Sequence, residues 1–507
     1  MNATPSEKPV DLTGLPLQVP CVVGIARSDA HVRLAPAAKQ HIRQARAVVE
    51  RATTDGLPHY GVNTGFGSLA RKRIDAHDLR ELQRNLVRSH AAGIGVPLPN
   101  DSVRAMMLLT AASLARGHSG VRVEVVECLV AMLNAGITPV VPSVGSVGAS
   151  GDLAPLSHVA LALIGEGEVI MDGRAQPAGA AMRSRGIEPV TLEAKEGLAL
   201  INGTHLMAAQ GALACHDFEV LFRAALVAGA MSIDACRATD AFLDPRVHEV
   251  RRQPGQAYVA KELTRLMHGS EIVRSHIEND PRVQDPYSLR CMPPVLGGAW
   301  DAFQHVKGVI ERELGAVTDN PLVFAEPDAI ISAGNFHGMP LAIPLDLLSI
   351  AVSHVAGISE RRTYLMLAAT DPEAHLTAYL SPKPGLHSGL MIAQYTAAAA
   401  CNEIIGLATP ASVSNIPTSA GTEDYNSFGP RAAAKARRAI ELAEHVVAIE
   451  LLCAAQGIEL HRPLKAGAAV EHAIARGRKE VPPLAFDRSP TADINAIVAM
   501  IRAGELG

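Results

Sequence analysis

Residues 145–164 read Gly-Ser-Val-Gly-Ala-Ser-Gly-Asp-Leu-Ala-Pro-Leu-Ser-His-Val-Ala-Leu-Ala-Leu-Ile. Six of the first seven are Gly, Ser or Ala, and an apolar helical run follows at once. Three readings compete: a phosphate-cradling loop, a tight turn, and a backbone that reacts with itself. The phosphate loop fails on detail. No Lys-Ser or Lys-Thr follows the glycines, and the spacing Gly145, Gly148, Gly151 is not GxGxxG. Pro139 and Pro142, just upstream, suit the interior strand of a dinucleotide fold poorly. The turn reading places Asp152 as the cap of a helix entered through Pro155. The reactive reading starts from Ala149-Ser150-Gly151. If the Gly151 nitrogen meets the Ala149 carbonyl carbon, a five-membered ring closes. Loss of two waters, one from the Ser150 side chain, then leaves a methylidene-imidazolone. Glycine permits the approach, serine supplies the departing hydroxyl, and alanine is small enough for the bend. The tripeptide by itself does not separate the last two readings.

Outward from this stretch, helical patterning dominates. In Ala433–Gln456 the apolar residues Ile440, Val447 and Leu451 recur at helical spacing, with Arg437, Glu441 and Glu444 between them. The runs 102–116, 121–135, 194–234 and 341–368 also read as helices, and Gly457 and Pro463 punctuate the C-terminal one. Strand-like alternation is confined to Val19–Ile25 and Glu168–Met171. The fold class is mainly α: a long-helix bundle with a smaller, loop-rich N-terminal part. Residues 1–220 carry the 145–152 loop, 221–460 form the central bundle, and 461–507 a C-terminal helical segment.

The chain has 507 residues, a net charge of −5 with no basic cluster, and aromatics at only 3%. Scattered basic residues exclude a dedicated nucleic-acid face. Seven cysteines lie far apart, with no CxxC, which argues for reduced thiols and against a disulfide scaffold or a zinc cluster; no metal site is expected. The start, MNATPSEKPVDLTG, lacks a signal-peptide pattern. Asp346 and His354 interrupt the apolar run Leu341–Ile358, so no membrane span is expected. These features fit a cytoplasmic protein.

The unusual residues collect between helices. His59–Gly67 (HYGVNTGFG), Ser89–Gly95 (SHAAGIG), Gln284–Arg290 (QDPYSLR), Val317–Pro321 (VTDNP), Gly334–Gly338 (GNFHG) and Thr418–Gly429 (TSAGTEDYNSFG) combine Gly with polar and aromatic side chains, and Ile201–Thr204 (INGT) joins them from within the 194–234 run. Such loops on a rigid scaffold are where sites form. In this order, together with 145–156, these motifs resemble the aromatic amino acid ammonia-lyase family over nearly the whole chain.

The resemblance implies a fumarase/aspartase-like helical fold and a homotetramer with sites at subunit junctions. It implies a 4-methylidene-imidazol-5-one formed autocatalytically from Ala149-Ser150-Gly151, with no external cofactor. The small-molecule substrate is an amino acid, and the pocket residues favour elimination of ammonia from L-histidine to give trans-urocanate, the entry to histidine degradation. The chemistry agrees: eliminating an α-amine needs an electrophile to make nitrogen a leaving group and a base for a weakly acidic β-hydrogen. By the family pattern Tyr60 is the base, and Tyr287 also belongs to the catalytic set. Arg290 suits a bidentate grip on the carboxylate. Asn202 and Gln284 hydrogen-bond the prosthetic group or the substrate ends, and Phe336 packs beside the ring. His90 and Glu423 read the imidazole, Glu423 doubling as a proton acceptor, and Met391 forms an apolar wall. His387, Leu390, Thr422, Tyr425, Gly315 and Val413 depart from the pattern around the side-chain pocket. The same lyase or aminomutase chemistry on tyrosine, phenylalanine or an ergothioneine-like substrate therefore stays open, as does a non-catalytic helical binding protein.

Overall fold

Five long helices form the centre of the molecule: His205–Ala235, Met292–Glu313, Met339–Ala368, Met391–Leu407 and Gly429–Glu459. The computed structural model describes residues 9–28 and 30–507. Alanine and glycine let the helix axes come close. A Cβ on Gly457 would stand 3.0 Å from the Ala235 Cβ, and one on Gly211 2.5 Å from Ile310 Cδ1. Gly457 thus does not end its helix, as the sequence suggests; it lies inside Gly429–Glu459, at a close crossing with 205–235.

Two ion pairs are sealed inside the bundle. Arg362 Nη2 donates to Glu450 Oε2 at 2.8 Å with both side chains wholly buried, and Lys435 Nζ donates to Asp346 Oδ1 at 2.6 Å. Among the described residues Met339–Ala368 alone is long and apolar enough to cross a membrane. Here it is a core helix, and its buried Asp346 and Arg362 are satisfied by the neighbouring helix.

The N-terminal part adds shorter helices, among them Leu79–His90, Asn100–Leu114, Val123–Asn134 and Leu153–Leu163. Four small sheets trim it and the bundle, including the antiparallel pair Ile94–Pro97 with Pro142–Val144. Glu168–Met171 is a strand as expected, pairing with Arg174–Pro177. One cluster of buried side chains runs from Leu12 to Leu506, and the 205–235 helix passes position 220 unbroken.

Two further sequence expectations are corrected. Val19–Ile25 is not a strand but lies in the helix Val19–Arg27. Pro20 presets the first turn, and Val22, Val23, Ile25 and Ala26 are buried, so tertiary packing overrides β propensity in a run too short for periodicity to decide. The single helix expected over 194–234 is two, Glu196–Ile201 and His205–Ala235. They break at Asn202-Gly203-Thr204, where Gly203 has φ +138°, a region that favours glycine.

Candidate active site

That break is where the 145–152 loop docks. The Gly203 carbonyl accepts the Asp152 N–H at 2.7 Å, and Gly151 and Gly203 pair as an isolated parallel bridge. A Cβ on Gly151 would fall 2.0 Å from the Gly203 oxygen, so only glycine fits there; its φ of +72° makes the same demand. From the other side, Phe428 N–H donates to the Val147 carbonyl at 2.9 Å and Ser427 Oγ to the Gly148 carbonyl at 3.0 Å. Ser146 Oγ donates to the Gly151 carbonyl at 3.2 Å. Held on all these sides, the Gly151 N–H itself makes no hydrogen bond among the described residues.

Asp152 sits at the start of Leu153–Leu163 as expected, yet it does not cap that helix. Its Oδ2 accepts from the Leu206 and Met207 N–H groups at 2.9 and 3.1 Å, capping 205–235 instead. Fully buried, its carboxyl is pushed up to about 7, chiefly by desolvation.

The loop opens on a cavity of about 1030 Å³. Tyr60, His90, Ala149, Ser150, Asn202, Phe336 and Glu423 all line it. Ser150 Oγ donates to Glu423 Oε1 at 3.3 Å, joining residues 273 positions apart. Thr418 Oγ1 donates to Glu423 Oε2 at 3.0 Å and holds the other carboxylate oxygen. Tyr60 Oη accepts the Gly67 N–H at 3.4 Å; burial, and then the nearby Glu423 charge, push the phenol above its usual range.

His90 ends the helix Leu79–His90 rather than sitting in a loop. Its Nδ1 lies 2.9 Å from the Leu86 carbonyl, which assigns the proton to Nδ1 and leaves Nε2 an acceptor. Burial lowers its pKa, which favours the neutral ring. Asn202 Nδ2 donates to the Asn320 carbonyl at 3.0 Å, while its buried Oδ1 has no partner. A buried amide oxygen left free in an active-site wall is a place for a donor.

Gln284, Tyr287, Arg290 and Met391 do not line this cavity. Tyr287 is 71% exposed, with the Arg290 guanidinium 4.6 Å over its ring. Thr239, which bonds this segment, follows the C-terminal end of 205–235, whereas Gly203 precedes its N-terminal end. At 1.5 Å per residue, the 31-residue helix is roughly 45 Å long, and it carries the Ser150 loop toward one end and the Arg290 segment toward the other. Within one chain they belong to different places.

Of the departing positions, Thr422 and Tyr425 reach the cavity. His387 instead accepts from the Asp487 N–H at 3.4 Å, Leu390 is buried, Gly315 packs under Pro16, and Val413 is largely exposed. Sequence reading missed Lys195, a wholly buried lysine at φ +74° whose Nζ donates to Asp319 Oδ2 at 2.7 Å and so supports the Asn202 shelf. Its partner was visible in VTDNP; nothing in the sequence marks Lys195. Ser146 and Thr418 were likewise unmarked small polar residues.

With this geometry in place, comparison with known proteins is decisive. The aromatic amino acid lyase family model matches residues 17–479. The chain belongs to the aromatic amino acid lyase family. Membership makes it a carbon–nitrogen lyase with that family's mainly helical fold. It is 48% identical to a histidine ammonia-lyase of Anaeromyxobacter sp. (strain K) over 506 residues, covering 98% of this chain and 99% of that one. A histidine ammonia-lyase of Symbiobacterium thermophilum is 47% identical over 494 residues, 97% of this chain and 96% of its own. Among solved structures, histidine ammonia-lyase from Trypanosoma cruzi superposes with a TM-score of 0.91 at 40% identity, covering 98% of this chain and 94% of that one. Tyrosine aminomutase from Streptomyces globisporus gives 0.92 at 34%, covering 98% of each.

Proposed function

We propose that this lyase converts L-histidine to trans-urocanate and ammonia. The observation that carries the reading is the single cavity in which Ser150, Glu423, Tyr60 and His90 converge from four separate segments. The relatives named above support histidine as the substrate.

The 149–151 segment suits a self-formed methylidene-imidazolone. Gly151 takes a conformation and a contact that exclude a side chain, its N–H is unengaged, and Asn202, whose buried Oδ1 has no partner, lines the same cavity. Once formed, that group supplies an electrophilic carbon for the substrate amine. The rest is done by ordinary side chains. His90 Nε2, kept an acceptor by the Leu86 carbonyl, takes an imidazole N–H. Glu423 accepts from the other edge of the ring or holds its proton. Asn202 Oδ1 accepts an ammonium N–H. Tyr60 Oη is the base for the β-hydrogen. Arg290 grips the carboxylate bidentately, and because it sits toward the far end of the 205–235 helix from Ser150 of its own chain, outside that chain's cavity, it serves the site of another subunit. That separation supports sites shared between subunits, the family resemblance makes the assembly a homotetramer, and the exposed apolar residues Ile343, Ile392, Tyr395 and Ile405 on two of the long helices suit such burial.

Peptide mass spectrometry across residues 149–151, run beside a urocanate absorbance assay, tests the reading. A two-water mass deficit with histidine turnover is expected. A full-mass peptide overturns the prosthetic group, and a deficit with turnover of tyrosine or phenylalanine but not histidine overturns the substrate. Ser150→Ala is expected to keep the fold, restore full peptide mass and abolish activity.

A further inference from the structure

Arg290 is exposed enough to reach a neighbour, yet its position is tightly defined. Its Nε donates to the Asp285 backbone carbonyl at 2.9 Å and its Nη2 to Gln284 Oε1 at 2.6 Å. The remaining guanidinium N–H groups stay available for a carboxylate. The residue whose carbonyl orients Arg290 is itself anchored through its side chain. Asp285, 6% exposed, accepts from both the Thr239 N–H at 3.0 Å and Thr239 Oγ1 at 2.9 Å.

A second fastening lies three residues upstream. Arg282 Nη1 donates to the Cys236 carbonyl at 3.2 Å and Nη2 to the Arg237 carbonyl, just past the end of 205–235. Helix C-termini leave such carbonyls unpaired and carry the negative end of the dipole, so a guanidinium is well placed there. Asp280 fixes its other edge, with Nη2 to Oδ2 at 2.8 Å and Nε to Oδ1 at 3.0 Å. The loop is thereby bolted to the C-terminal end of the helix whose N-terminal end carries Gly203.

We propose that Asp285, Thr239 and Arg282 form a clamp that sets the Arg290 guanidinium and, through it, affinity for the substrate carboxylate. They are positioning residues: none touches the Ser150 cavity. The proposal rests on the lyase reading above. A clamp of this kind makes a specific demand, that loosening it costs carboxylate recognition and spares recognition of the side chain and amine.

The test compares Asp285→Ala, Asp285→Asn and Thr239→Val with the wild-type enzyme. The measurements are KM and kcat for histidine, inhibition by histamine (the same ring and amine without the carboxylate), peptide mass across 149–151 and thermal midpoint. Asp285→Ala is expected to raise KM roughly tenfold with a smaller change in kcat. Histamine inhibition and the two-water deficit should match the wild type. Asp285→Asn, which keeps an acceptor for Thr239, should recover most of the loss. If Asp285→Ala does not fold, Thr239→Val gives the same pattern at about threefold. A KM and a histamine constant that rise together, or that both stay at the wild-type value, overturn the clamp. A wild type that deaminates another amino acid but not histidine overturns only the substrate, and the clamp is then read from that amino acid and its amine. A wild type that deaminates none overturns both.

Discussion

Gly151 and Gly203 press backbone against backbone, and each pays for the other in conformational freedom. Gly203→Ala puts a Cβ 2.5 Å from His205 Cε1 at a φ that suits glycine, and is expected to cost about 1–3 kcal/mol in denaturant unfolding. It should also slow the two-water loss at 149–151, which mass spectrometry during refolding would follow. Asp152 beside them makes a pH prediction. Its folded pKa of about 7 lies above the ordinary aspartate value, so the folded state binds the proton more tightly. The resulting stabilisation is complete below the unfolded pKa and is lost as pH rises through about 7. Asp152→Asn keeps an acceptor for Leu206 and Met207 but cannot ionise. Its thermal midpoint relative to the wild type is expected to be higher at pH 8 than at pH 5; an equal difference at both pH values contradicts the assignment.

At the scale of elements, the bundle joins apolar faces through two buried ion pairs. Arg362 and Glu450 are wholly buried and Ser232 Oγ also donates to Glu450 Oε1, at 2.7 Å. Removing one partner strands the other charge in the core. Arg362→Met is expected to destabilise by about 3–5 kcal/mol, measured by the denaturant midpoint, with no change in the 149–151 chemistry of the molecules that fold. Arg362 Nη1 also reaches the Ser288 carbonyl at 3.4 Å, so this pair joins the bundle interior to the turn that carries Tyr287 and Arg290.

At the scale of the whole molecule, a helix of roughly 45 Å holds the 145–152 loop at one end and the Gln284–Arg290 loop at the other. A site assembled from both requires two chains. Ser150→Ala and Arg290→Ala are each expected to be inactive alone. Co-refolded, they should regain part of the wild-type activity, since some junctions receive Ser150 from one chain and Arg290 from the other. No recovery, with mixed oligomers confirmed by native mass spectrometry, rules out shared sites.

The sequence by itself determined what short-range chemistry fixes. Ala149-Ser150-Gly151 has the residue types that a self-cyclising tripeptide needs, long alanine-rich periodic runs make a helical bundle, and the ordered motifs name the family and most of the cavity. Tertiary structure decided the rest, because those outcomes depend on what packs against a residue rather than on its neighbours in the chain. Val19–Ile25 turned helical because its apolar residues found a helical environment, and Gly457 stayed inside its helix because Ala235 comes close. Asp152 caps a helix it does not begin. Lys195 lies buried in an unremarkable stretch because Asp319 meets it there. Above all, the sequence places Ser150 and Arg290 in one list of site residues, while the rigid length of His205–Ala235 holds them apart.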